Sequence, residues 1–250
     1  MTQDTEEDGA LAFFKAQRLA FAETLAQWRG DGDMVPALMS QAYSSFEGNV
    51  AVQAEGQPAI ACHKGCATCC TIRVIATAPE ALMLARYVRA ADSALKQAGI
   101  DLRQRIAEAD SATRGRDERQ RVALRRRCPF IAKGVCVIYP ARPLACRGHA
   151  SYDKRACAEA AAGRLEGIPL SMPHMMVRSL VQNAMQSALR DAGYVWATYE
   201  LNHALSIALD DEDSEPAWLA GADVFAPARV ADISLDEMAN TFDRIHAGVK

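Results

Sequence analysis

Four cysteines fall within nine residues of this chain, as Cys62-His63-Lys64-Gly65-Cys66-Ala67-Thr68-Cys69-Cys70. Four more, Cys128, Cys136, Cys146 and Cys157, lie further along, while the first 61 residues and the last 93 contain none. No other feature restricts the fold as much, because so many thiols in one stretch need a shared chemical purpose. Disulfides would suit a small exported chain. This chain has 250 residues and opens on the acidic Met1-Thr2-Gln3-Asp4-Thr5-Glu6-Glu7-Asp8, without the basic and apolar start of a signal peptide. Isolated buried cysteines are common, but not eight confined to 96 residues. A lone catalytic thiol needs a neighbouring base and leaves seven others unexplained. Metal binding accounts for the pattern, since gaps of two or three residues let one turn of backbone present several thiolates to one centre. All eight cysteines are therefore candidate ligands, with Gly65 easing the tight turn among the first four.

Adjacent Cys69 and Cys70 constrain the geometry. Their Cα atoms sit about 3.8 Å apart, and in an extended segment the side chains diverge. Either they serve two centres, or one is a ligand and the other lies beside or bridges it. The second set runs Cys128-Pro129-Phe130-Ile131 and then Gly134-Val135-Cys136-Val137-Ile138-Tyr139-Pro140-Ala141-Arg142-Pro143-Leu144-Ala145-Cys146-Arg147. Pro140 and Pro143 forbid a regular helix and hold the loop extended or turned, which can bring Cys136 and Cys146 to the same centre. A divalent ion with four thiolates carries a charge of about −2. Arg142 and Arg147 are placed to offset it by hydrogen-bonding the sulfurs without competing for the metal.

Other candidates read as structural. His149 lies three residues after Cys146, a spacing compatible with one metal, but a loop histidine is the simpler reading. His63 is expected to face solvent, His174 to start a helix, and His203 to pack on a helix face. Met172, Met175 and Met176 are expected to pack in the core at the start of an apolar helix. Arg125, Arg126 and Arg127 read as a solvated helix end. The acidic run 210–215 reads as a loop, because it lacks the glycine and distal glutamate of a calcium-binding EF-hand.

Half of the residues are hydrophobic and 24% are charged, so a sizeable core is expected rather than a disordered tail. The net charge of −3 provides no general attraction for nucleic acid or an anionic membrane. No uncharged stretch reaches the roughly 18 residues of a membrane span. A cytoplasmic protein is expected, with a metal ion as its partner, no nucleic acid or membrane, and no protein partner that the sequence names.

Helical periodicity dominates the pattern. Leu11, Phe14, Phe21, Leu25 and Trp28 mark a first helix, and a second is expected from Asp33 to Phe46, followed by a loop or short strand over 47–61. Thr77-x-x-Glu80 is a capping box with Pro79 in the first turn, opening a helix that carries Leu82, Leu84, Tyr87 and Val88. A polar helical stretch is expected from about 101 to 127, a proline-rich loop over 128–147, and an alanine-rich helix over 153–164. Two buried stripes come next, Leu180 to Leu189 and Val195 to Leu209, and a last helix starts near Ser234. The fold class is mainly α: one domain over 1–250, with an irregular cysteine-rich metal module over 58–160 between helical flanks.

The cysteine pattern resembles the YkgJ-type cysteine-cluster family, described as a zinc- or iron-chelating domain. The matching parts are Cys62-x3-Cys66-x2-Cys69-Cys70, Cys128-Pro129-Phe130 and Gly134-x-Cys136-x-Ile138-Tyr139-x-x-Arg142-Pro143-x-x-Cys146-Arg147, with Cys157 as the trailing cysteine. The family's usual first gap is two residues, and here it is three. The resemblance implies binding of iron (mononuclear, polynuclear or as an iron–sulfur cluster) or of zinc. A flagellin lysine methylase is similar in its cluster, and Cys62-x3-Cys66-x2-Cys69 has the radical-SAM spacing. Those two likenesses imply, as an alternative, a cluster-dependent methyl- or electron-transferring enzyme. Radical-SAM folds need alternating strands and helices, and a helical chain does not supply them.

Overall fold

The computed structural model describes residues 2–248. Eleven α-helices and four short strands are found among them. The helices are α1 (Thr2–Gln27), α2 (Met34–Gln53), α3 (Ala78–Gln97), α4 (Leu102–Thr113), α5 (Glu118–Leu124), α6 (Leu144–Gly148), α7 (Lys154–Ala161), α8 (Met172–Asp191), α9 (Leu201–Asp210), α10 (Ser214–Leu219) and α11 (Leu235–Ala247). The strands are β1 (Ile75–Thr77), β2 (Ile131–Ala132), β3 (Val135–Cys136) and β4 (Thr198–Glu200). The mainly α expectation holds. No described helix is long and apolar enough to cross a membrane.

Helix α8 is the hub of one half, packing against α1, α2 and α6, while α9 packs against α3 and α4 in the other. Each buries the stripe its spacing prescribes. Helix α2 turns Met34, Val35, Leu38, Met39, Ala42 and Phe46 inward, each large side chain contributing about 2 kcal/mol of apolar burial before entropy is counted. Phe14 of α1 stacks on Phe242 of α11 at 6.0 Å, so the first and last described helices meet.

Two antiparallel ribbons complete the architecture. Strands β1 and β4 pair as Ile75↔Glu200, Ala76↔Tyr199 and Thr77↔Thr198, and each runs straight into a helix. The last residue of each strand caps the helix it enters. The Thr77 amide and hydroxyl each donate to Glu80 Oε2 at 2.8 Å, and Glu200 accepts from the His203 amide at 2.9 Å. Strands β2 and β3 form a hairpin whose two central residues, Lys133 and Gly134, both have positive φ, as a type I′ turn requires. Neither ribbon contains the parallel strand–helix alternation of a radical-SAM fold.

Several boundaries differ from expectation. Helix α2 runs on to Gln53 through Gly48, so the expected loop starts later. The polar stretch 101–127 is two helices, broken at Arg114–Asp117 where Gly115 adopts φ +72°. Asp117 and Gln120 then form a capping box that starts α5 afresh. Val195 and Tyr199 precede α9 rather than sharing its stripe, with Tyr199 in β4. The acidic run is only partly a loop, because Ser214 and Glu215 begin α10. Met172, Met175 and Met176 are a clear correction. They are 52%, 37% and 47% exposed, because the first turn of α8 projects beyond the core that Val177 and Val181 enter.

Candidate metal centre

All eight cysteines are free, and all are half-buried. Seven of them, Cys62, Cys66, Cys69, Cys70, Cys128, Cys136 and Cys146, line a single cavity of about 320 Å³. The first four come from an irregular turn-rich segment, Cys136 from β3 and Cys146 from α6. Cys157, on α7, does not line the cavity, but its thiol acts electrostatically on Cys62. Among the described residues no three side chains stand ready in a metal-ligating arrangement. The thiols converge on one space without being preset around a point.

The backbone shows how separate segments reach that space. The Cys128 amide donates to the Cys70 carbonyl at 2.7 Å, and the Ala61 amide to the Ser151 carbonyl at 2.8 Å, so one end of the first cluster is tied to the start of the second set and the other to the segment just beyond it. Gly65, at φ +96°, turns the chain between Cys62 and Cys66 in a conformation other residues rarely adopt. Cys69 and Cys70 also lie in a turn rather than an extended strand. Their thiols therefore act on one another, instead of diverging as those of an extended segment would.

Backbone amides also reach the sulfurs. The Ser151 N–H donates to Cys62 Sγ at 3.4 Å, and the amides of Phe130, Ile138 and Cys69 lie near enough to Cys128, Cys136 and Cys69 respectively to draw those thiols down. Phe130 and Ile138 are each two residues beyond their cysteine. In Cys128-Pro129-Phe130 the proline has no N–H to offer, so the next residue supplies the donor while its ring is buried in the core. Such donors favour the thiolate. Burial opposes them, pushing the Cys128 thiol up to about 12 and those of Cys62, Cys136 and Cys146 in the same direction. The hydrogen bond with Cys70, together with burial, raises that of Cys69 as well. Neutral thiols are stable here until a cation arrives, which is the behaviour of a ligand set whose deprotonation is coupled to metal binding.

The two loop arginines have different surroundings. Arg142 lines the cavity and acts electrostatically on Cys69, Cys136 and Cys146, with its guanidinium 3.6 Å from the Tyr139 ring centre. Arg147 does not line the cavity. Its guanidinium bonds the Arg142 carbonyl at 2.8 Å, the Pro140 carbonyl and Glu47, and lies 3.9 Å from the Tyr43 ring centre. It braces the loop from behind.

Other side chains fix the same loop. Tyr43 donates to the Ala141 carbonyl at 3.4 Å, Tyr87 to the Val137 carbonyl at 3.2 Å, and Arg105 to the Ile131 carbonyl at 2.5 Å. Glu80, 1% exposed, accepts the Leu144 amide on Oε1 at 2.7 Å while Oε2 caps α3. Burial pushes its carboxyl up, against those hydrogen bonds. None of these partners is close in sequence to the loop. Only Glu80 carried a signal, and that signal was for capping.

Of the histidines, His63 is exposed but lines the cavity, as does His149, whose ring is held below its ordinary range by burial and by Arg178. His174 lies in the first turn of α8 with Nδ1 2.8 Å from Ser171 Oγ, and His203 is buried on α9. Arg125 and Arg126 lie at the surface, bonding the Ala162 carbonyl and Glu108. Arg121, in the stretch expected to end as a solvated helix, is instead 2% exposed and lines the cavity.

The donor set fits a thiophilic cation. It comprises seven sulfurs lining the cavity, amide N–H groups near four of the eight cysteines, and Arg142 to offset charge. No curated protein and no solved structure matches the chain. A family model does match, over residues 61–161, that of CxxCxxCC, "Putative zinc- or iron-chelating domain". That span runs from just before Cys62 to just beyond Cys157 and takes in every residue with which the sequence resembles the YkgJ type. Over residues 61–161, about two fifths of the chain, the sequence is thus similar to the CxxCxxCC domain, and the rest of the chain lies outside that match.

Proposed function

We propose that the cavity is a thiolate site that takes up zinc or iron and holds more than one metal ion. The observation that carries this reading is the convergence of seven free thiols on one space from segments as far apart as Cys62 and Cys146. Two sets of thiols support the plural. Cys62 interacts with Cys69, Cys66 and Cys157, while Cys146 interacts with Cys128, Cys69 and Cys136. Cys69 belongs to both sets, and Cys70 acts on it. Such a shared sulfur suits neighbouring ions better than a single tetrahedral one. With iron the set would take a sulfur-bridged cluster, and with zinc it would take tetrahedral ions.

Elemental analysis together with a visible spectrum, on protein purified without oxygen, tests the proposal. More than one equivalent of zinc in a colourless sample, or iron with an absorption that bleaches on reduction, is the expected result. A full chain that holds no zinc or iron as purified, and gains none on anaerobic reconstitution, would overturn it. One equivalent, lost equally on Cys62→Ser and Cys146→Ser, would remove the second centre.

A further inference from the structure

The cavity is larger than a metal site needs. The sulfurs belong to its wall, and each ion occupies about the space of one water, on the order of 30 Å³, so even two ions leave most of it free. Its volume of about 320 Å³ falls instead at the lower end of small-molecule sites, which run from about 300 to 1,000 Å³. Much of its wall is apolar, including Ile72, Phe130 and Leu201.

Four arginines line the cavity, and three of them have a hydrogen-bond acceptor among the described residues. Arg73 pairs with Asp232 at 2.6 Å. Arg121 donates to the Arg126 carbonyl at 3.1 Å, with Glu200 and Glu118 acting on it at a distance, although its Nε is also buried without a partner. Arg142 faces the thiols. Arg178, from α8, makes no hydrogen bond or ion pair among the described residues, and its Nε is buried without a partner. Glu80 and Cys146 act on it only at a distance, and both Glu80 oxygens are already committed to Thr77 and Leu144. Its Nε has lost its water and gained no acceptor, which is costly, while its two terminal NH2 groups stay open to the cavity, where an acceptor can reach them.

Its position is also fixed. A Cβ at Gly148 would come within 2.5 Å of Arg178 Cβ and 2.6 Å of its Cγ, so the bare backbone of α6 lies directly against the arginine stem. Glycine there allows the close approach of α6 and α8 that sets the guanidinium at the cavity wall.

We infer that the cavity binds a small organic carboxylate beside the thiols, its anionic head on Arg178 and its short apolar body against the wall. This goes beyond the metal reading and does not require a particular metal. The carboxylate supplies the planar pair of acceptors that a guanidinium fork matches.

Calorimetric titration of the full chain, as purified, with acetate, hexanoate and inorganic phosphate tests the inference, with metal content measured on the same samples. Hexanoate should bind tighter than acetate, by up to about fourfold for each methylene buried. Arg178→Gln should weaken hexanoate about tenfold or more with metal content unchanged, and Arg178→Lys should weaken it less. Failure of the wild-type chain to bind hexanoate, or equal binding by Arg178→Gln, would overturn the carboxylate site. Phosphate binding as tightly as hexanoate would overturn the apolar body. Loss of metal in Arg178→Gln, without carboxylate binding in the wild type, would assign the guanidinium to the sulfurs instead. Failure of the metal reading has a separate signature, a chain with no zinc or iron whose response to hexanoate is still measurable.

Discussion

Arg142 and Arg147 stand five residues apart on one proline-braced loop, and nothing in their spacing tells them apart. Side-chain direction separates them, since one guanidinium lies on the cavity wall and the other behind the loop, against Tyr43. Their substitutions should therefore fail differently. Arg147→Ala strips the partner from two carbonyls and from Glu47, and should cost about 3 kcal/mol in denaturant unfolding. Arg142→Ala should cost about 1 kcal/mol through its Tyr139 contacts, yet weaken metal affinity about 10–100-fold. Equal stability losses, or unchanged metal affinity in Arg142→Ala, would refute that division. Residue identity and spacing made the thiols legible as one set. Arg121 and Arg178 were not, because a cationic residue on a helix looks solvated until the neighbouring element is in place.

At the scale of elements, capping chemistry was the most readable part of the sequence. Thr77-x-x-Glu80 placed the start of α3, and Ser234 placed that of α11. The split between α4 and α5 was readable in the same terms, from Asp117 and Gln120, but an unbroken polar composition masks a break at Gly115. The exposed methionines of α8 escaped for another reason. Apolar spacing marks a helix face, and nothing in it shows that the first turn overhangs the core. Glu80 has a second task that no local pattern encodes, which is to hold the first amide of α6 and so the approach to Cys146. Glu80→Gln offers one carbonyl oxygen for three donors and turns an NH2 toward another N–H. A loss of about 1–3 kcal/mol is expected, with Thr77→Val losing about 1 because only the hydroxyl contact goes. The check is urea unfolding of both variants. If the two losses are equal, the bond to Leu144 contributes nothing and Glu80 is only a cap.

Across the whole molecule, the apolar core and the cysteine module depend on different forces. Helices α1, α2 and α8 are held by Phe21, Leu25, Leu38 and Val181, all fully or almost fully buried, and they need no cation. The segments 62–70 and 128–146 contain little regular structure and bury thiols whose charged forms would repel one another. Their order without metal rests on a few long-range bonds, such as that from Cys128 to Cys70 and the braces of Tyr43, Tyr87 and Arg105. Cysteine spacing marked the segments 62–70 and 128–146 in the sequence, while α3 and α4, which lie between them and inside the span 58–160, pack with α2 and α9 of the helical frame. The cavity was not legible there, since it is closed by β4, α8 and α9 from far along the chain. Metal should therefore stabilise the module much more than the frame. Amide hydrogen exchange before and after chelation reads this directly, because local opening reports local stability. Protection should fall in 62–70 and 128–146 on chelation, while the inner turns of α1, α2 and α8 keep theirs. Uniform loss across frame and module would mean that the metal holds the entire fold, and no change in either segment would mean that the thiols do not bind it.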